Sequence, residues 1–185
     1  MMIELNSLVP SQEFKNQLTI YTDATFENLK LPNDLQECLK RIGLPLNSSL
    51  CVFEENPITF YREPQLRRYA LIKGAYLEIA EMAWVGKIAI DIASGHVWQI
   101  FEKRFEASFM NSSIAQYIEC LGAWLQFYPQ FQKYLSDELK TNPQFSLYDD
   151  SSVYVPISKK LSEIDPEAMK NDYNYWPRCC EPDIV

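Results

Sequence analysis

Histidine, glycine and basic residues are scarce in this chain, and each shortage closes off a class of chemistry. Only one of the 185 residues is histidine, His96, so a Ser-His-Asp or Cys-His device would have to be built on that imidazole. Its place beside a tight turn, at the start of a predicted strand, suggests no triad geometry. The five glycines, at 43, 74, 86, 95 and 122, form neither G-x-G-x-x-G nor a P-loop, which removes nucleotide binding by those routes. The five cysteines, Cys38, Cys51, Cys120, Cys179 and Cys180, are odd in number and never spaced C-x-x-C. They read as reduced thiols, not as a disulfide framework or a tetrahedral zinc site. Redox sensing by the vicinal pair Cys179 and Cys180 is the functional alternative to two incidental thiols. No cofactor and no metal are expected.

Lys and Arg total 17 against 25 Asp and Glu, a net charge of -8. Phosphate-backbone binding is driven by Lys and Arg, so direct contact with nucleic acid is not expected. A membrane span needs roughly 20 apolar residues, and the most apolar stretch, 70–92, is interrupted by Lys73, Glu78, Glu81, Lys87 and Asp91. The first ten residues include Glu4 and Asn6 and lack both a basic leader and an apolar run, which points to a soluble, cytoplasmic protein.

What is abundant is apolar: 47% of the residues are hydrophobic and 14% aromatic, enough for a single domain over 1–185 that folds without staples. Residues 31–43, LPNDLQECLKRIG, put Leu35, Cys38, Leu39 and Ile42 on one helical face, with Pro32 near the start and Gly43 just past the end. Short apolar runs at Leu50–Phe53, Ile58–Tyr61 and Tyr69–Ala75 read as strands of a meandering sheet. Residues 77–85 fit either a strand or a helix, the strand being favoured. In GKIAIDIASGHVWQIF, 86–101, Ile88, Ile90 and Ile92 alternate with Lys87, Ala89 and Asp91, and Gly95 permits a tight return through His96 to Phe101. That is a hairpin with a half-buried strand.

Ser113 and Gln116 then have capping-box spacing, with Asn111 or Ser112 as alternative caps. Ile114, Tyr117, Ile118, Leu121, Leu125 and Tyr128 form a core stripe. Pro129 should kink or divide the helix, whose period continues through Phe131, Tyr134, Leu135 and Leu139 to about Lys140. Beyond Thr141 the pattern suggests a short strand at Val153–Val155 and a helix capped by Asp165 with Pro166 first. Tyr173, Tyr175 and Trp176 either pack this tail down or await a partner. Trp98 and Trp124 are assigned to the core. The basic cluster Arg62, Arg67 and Arg68 could meet a phosphate or carboxylate, or balance neighbouring glutamates. The carboxylate pairs Glu54-Glu55 and Asp149-Asp150 read as solvated loops.

GLP at Gly43–Pro45, IAIDIASGHVWQI at 88–100 and FMNSSIAQYIECL at 109–121 occur in an order and with gaps that resemble the SUKH superfamily, most closely its fourth immunity-protein subfamily. The resemblance covers about residues 30–128 and leaves a C-terminal extension, 141–185. It implies an α+β fold in which a central, mainly antiparallel sheet is flanked by helices. It also implies a non-catalytic role: binding a cognate polymorphic toxin, a nuclease or nucleic-acid deaminase, and neutralising it by occlusion. Some relatives in the superfamily are instead intracellular regulatory or scaffold proteins. Carried over position by position, the matched residues are architectural. Gly43 and Pro45 shape a turn, Gly95 permits the hairpin, Trp98 fills the core, and Asn111, Ser112 and Ser113 cap a helix. The acidic charge suits a basic toxin. Occlusion would place contacts on loop carboxylates, Glu54, Glu55, Asp149 and Asp150, with Tyr148 as an aromatic anchor.

Overall fold

Six strands laid down in chain order each pair with the next, so the sheet is an antiparallel meander from β1 to β6. A computed structural model describes residues 5–46, 49–51, 57–70, 72–83, 85–101, 106–146 and 151–181. Three short helices, α1 (Gln12–Asn16), α2 (Asp23–Phe26) and α3 (Asn33–Ile42), precede β1 (Ser49–Cys51), β2 (Pro57–Arg67), β3 (Tyr76–Met82), β4 (Gly86–Asp91), β5 (Val97–Phe101) and β6 (Glu106–Asn111). The long α4 (Ile114–Thr141) follows, then α5 (Val155–Ile164) and α6 (Tyr175–Cys179). This is the α+β arrangement expected. Leu77, Ile79, Ile88 and Ile90 from one sheet face share a core with Leu39, Tyr117, Trp124, Phe127, Leu161 and Trp176 from the helices.

The amphipathic segment 31–43 folds as α3, and Gly43 ends it with a positive φ of 73°. Only glycine adopts that geometry without strain. A Cβ there would also lie 3.1 Å from the Thr19 carbonyl, because Thr19 and Leu44 form an isolated antiparallel bridge. The hairpin is present, with Ile90 opposite Val97, Ala89 opposite Trp98, and Gly95 at φ 75°. Residues 76–82 are strand, as favoured.

Several local expectations fail for tertiary reasons. Tyr69–Ala75 is a connection, not a strand: Gly74 turns the chain at φ 110°, and Tyr69 folds back to donate to Glu78 at 2.6 Å. Val153–Val155 is not a strand either, since Ser151–Tyr154 is a 3₁₀ turn leading into α5. Of the kink or division expected at Pro129, the division does not occur: α4 runs 28 residues through it. Leu139 is 43% exposed and lies outside the core stripe. Leu50–Phe53 is strand as far as Cys51; Val52 and Phe53 lie outside the described residues.

The tail beyond Thr141 is not peripheral. Tyr154, Ile157, Leu161, Tyr175, Trp176 and Cys179 are all buried in the main core. The Trp176 ring lies tilted against Trp124 at 6.0 Å and Tyr117 at 6.5 Å between centroids, while Tyr154 sits 5.2 Å from Phe131. Of the three tail aromatics, Tyr175 and Trp176 pack it down and Tyr173 stays 84% exposed.

Candidate functional site

The two sheet faces differ in what covers them. The face with the helices is closed. On the other, the apolar cluster of Tyr76, Ala89 and Ile100, with Tyr69, Ile72, Trp98 and Ala107 around it, draws only on the sheet and the 68–75 connection. Strand parity explains the membership: Trp98 lies opposite Ala89, on the face turned away from Ile88 and Ile90. Trp98 therefore does not fill the main core. It is half-buried, edge-on to Phe109 at 5.3 Å, and its Nε1 is buried with no hydrogen-bond partner among the described residues. His96 packs edge-on to the same Phe109 at 5.4 Å.

Beside these aromatics the same face turns polar. Two bulges make this possible. Between Phe60 and Gln65 the β2 register slips, with the buried Pro64 in the bulge, and β3 slips between Glu78 and Ala80. A proline that cannot donate is tolerated at such an irregularity. The bulge sets Tyr61 over β3 and β4, where Lys87 Nζ donates to Glu81 at 2.7 Å and to Tyr61 Oη at 3.0 Å, and Tyr61 donates to Glu81 at 3.1 Å. Burial works against the charge on Lys87, but its bonds to Glu81 and Tyr61 more than offset that and hold its pKa above the ordinary lysine value. The same Lys87 bond holds the Glu81 carboxyl below the ordinary range, against a smaller opposing effect of burial.

Glu78 is buried on this face, 4% exposed, with Tyr69 donating at 2.6 Å and Arg67 Nε at 3.9 Å. A concavity of about 550 Å³ lies between these two polar groups, walled by Tyr61, Lys87, Arg67, Arg68 and Tyr69 with Glu78 among them. Arg68 is exposed and has no ion-pair partner among the described residues. The basic cluster is thus only partly balanced by glutamate. Simple alternation along β3 puts Glu78 and Glu81 on opposite faces; the bulge between Glu78 and Ala80 brings both onto the face of Lys87, and neither it nor the fold-back of Tyr69 had a local signal.

Of the three matched residues assigned to the helix cap, only Ser113 caps. Ser113 is the N-cap of α4, accepting from the Gln116 amide at 3.3 Å and donating to Gln116 Oε1 at 2.7 Å. Asn111 and Ser112 instead hold Asp165, a carboxylate 1% exposed that belongs to the tail. Asp165 Oδ2 accepts from the Ser112 amide at 2.7 Å and from Asn111 Nδ2 at 3.0 Å, and Oδ1 accepts from Ser112 Oγ at 2.9 Å. Asn111 Oδ1 accepts from Trp176 Nε1 at 2.8 Å. Asp165 makes no side-chain cap to the Pro166–Met169 turn, because its oxygens are occupied here. Gly43, Pro45, Gly95 and Ser113 keep turn and cap positions. Glu54, Glu55, Tyr148, Asp149 and Asp150 lie outside the described residues.

Cys120 and Cys179 are buried, and Cys180 half-buried, in a setting that disfavours the thiolate. Burial pushes the Cys120 thiol up to about 12, Cys180 to about 11, and Cys179 well above its ordinary value. At pH 7.5 the thiolate fraction at these sites is on the order of a thousandth or less, and the thiolate is the reactive form. We expect Cys120, Cys179 and Cys180 of the native protein to react with an aromatic disulfide reagent far more slowly than after addition of guanidinium. A fast native phase assigned to Cys179 or Cys180 by peptide mapping would contradict this.

Among the described residues no group of three or more His, Cys, Asp or Glu is arranged to hold a metal ion, and no helix is long and apolar enough to cross a membrane. The prominent features are a tail clasped into the core and a second sheet face that carries half-buried aromatics beside exposed arginines. The family model of the SUKH-4 immunity proteins matches residues 11–182, and the chain belongs to that family. The match takes in the N-terminal helices and the tail as well as the three motifs. Comparison with curated proteins and with solved structures gives no match.

Proposed function

We propose that this protein is a non-catalytic immunity protein of the cytoplasm that binds a cognate polymorphic toxin, a nuclease or nucleic-acid deaminase, and neutralises it by occlusion. The observation that carries the reading is the SUKH-4 immunity match over residues 11–182. The net charge of -8 supports a basic partner, since a toxin that acts on nucleic acid must attract phosphates and the same field would speed its encounter with an acidic inhibitor. Glu54, Glu55, Asp149 and Asp150, with Tyr148, are the residues assigned to meet the basic surface.

The test is co-expression with the nuclease and deaminase toxin domains encoded in the source genome, those of neighbouring genes first. Growth should be restored by this chain, and the purified pair should bind more weakly as salt rises. Failure to restore growth, or capture of only envelope-assembly or housekeeping proteins, would transfer the reading to a regulatory scaffold.

A further inference from the structure

The immunity reading leaves one feature unaccounted for: a locally basic concavity on an acidic protein. Its lining holds three cations, Arg67, Arg68 and Lys87, against one carboxylate, Glu78. Lys87 is spent on Glu81 and Tyr61, and Arg67 is shared between Gln65 and Glu78. Arg68 has no ion pair among the described residues, and both arginines are exposed. Two strands further along the same face, Trp98 is half-buried beside the buried Tyr76, edge-on to the half-buried Phe109, and among the described residues its apolar cluster draws only on the sheet and the connection before β3. Arg, Tyr and Trp on one contiguous surface is the composition of binding hot spots.

Resting on the immunity reading, we propose that this helix-free face is where the toxin docks, and that Arg68 and Arg67 receive a carboxylate of the toxin's catalytic centre. Charge complementarity selects that occupant. A nucleic-acid deaminase or nuclease surrounds its active centre with cations for the phosphates, yet places acidic side chains at the centre for proton transfer or metal binding. An inhibitor complementary to that pattern is acidic overall and basic at one point. This chain has both features, a charge of -8 and a cationic spot on its open sheet face. A like-charged spot facing a uniformly basic partner would cost affinity. The aromatic half of the face supplies the apolar contact area beside the ion pair.

The test uses the whole chain and the toxin domain whose growth inhibition it relieves in co-expression, with affinity measured by calorimetry. Arg67→Glu with Arg68→Glu is compared with Lys133→Glu and Lys140→Glu on α4, which makes the same change in net charge on exposed helix positions. The sheet-face pair should weaken binding by about thirtyfold or more, and the α4 pair by less than about threefold, because reversal at a docked ion pair exceeds long-range screening losses. Arg68→Ala, which removes a side chain with no ion-pair partner among the described residues, guards against misfolding and should still cost about tenfold. Equal affinities for the wild type and the sheet-face variants would overturn the docking surface and leave the immunity reading standing. A wild-type chain that fails to bind the toxin overturns both.

Discussion

Trp176→Ala should destabilise the protein by about 3–5 kcal/mol, the range for truncating a fully buried aromatic. Trp176 is 0% exposed and is the point where the tail meets everything else: Trp124 and Tyr117 of α4, Tyr175 beside it, and Asn111 at the end of β6. Removing the indole opens a cavity among these rings and leaves Asn111 Oδ1 buried without its donor. For a chain of this length the thermal midpoint should fall by about 10 °C, and the guanidinium midpoint should fall without a change in slope. Trp176→Phe opens a smaller cavity, since a six-membered ring remains, but loses the N–H as the alanine variant does; it should cost about 2–3 kcal/mol, the orphaned acceptor plus part of the packing loss. A Trp176→Ala variant within 1 kcal/mol of wild type would mean the tail is not part of the cooperative unit.

That the tail belongs to the core was not legible from its sequence, and the reason is physical. Periodicity reports which face of an element is apolar, and it served well where neighbours in sequence decide the outcome: α3 with Gly43, the Gly95 hairpin, the Ser113 cap. It says nothing about which distant segment covers that face. Asn111 and Ser112 are residues that commonly cap helices, so cap was the local reading. Their actual partner is Asp165, more than fifty positions away, and no local rule links them. Trp98 is a different case. Its position opposite Ala89 follows from the hairpin register, and that register with the Ile88-Ile90 alternation already placed it on the sheet's other face. Size and hydrophobicity argued for the core where parity did not. Of the candidate site, the Arg67-Arg68 pair was visible as an isolated basic cluster. The concavity depends on the β2 bulge and the fold-back of Tyr69, both set by tertiary contacts.

Asp165 permits a sharper experiment, because hydrogen bonding and charge can be separated at one position. Asp165→Ala should cost about 3 kcal/mol or more, since it strands the Ser112 amide, the Ser112 hydroxyl and Asn111 Nδ2 in a buried site. Asp165→Asn has a way to keep every bond. Its amide oxygen, placed at the Oδ2 position, can accept from Ser112 N and Asn111 Nδ2 as the carboxylate does. Its NH₂ then occupies the Oδ1 position facing Ser112 Oγ, and a hydroxyl that was donating can rotate to accept. No Lys, Arg or His side chain bonds to this carboxylate among the described residues, so its negative charge has no pair to lose. The amide variant should therefore lie within about 1 kcal/mol of wild type in denaturant melts. Equal damage from Asn and Ala would show that the charge itself holds the tail, through the amide dipoles aimed at it. In either outcome, Ser112→Ala combined with Asp165→Ala should cost about 1–2 kcal/mol less than the sum of the two, because the Ser112 hydroxyl bond is lost only once while the Ser112 amide and Asn111 Nδ2 lose their acceptor in both Asp165→Ala backgrounds.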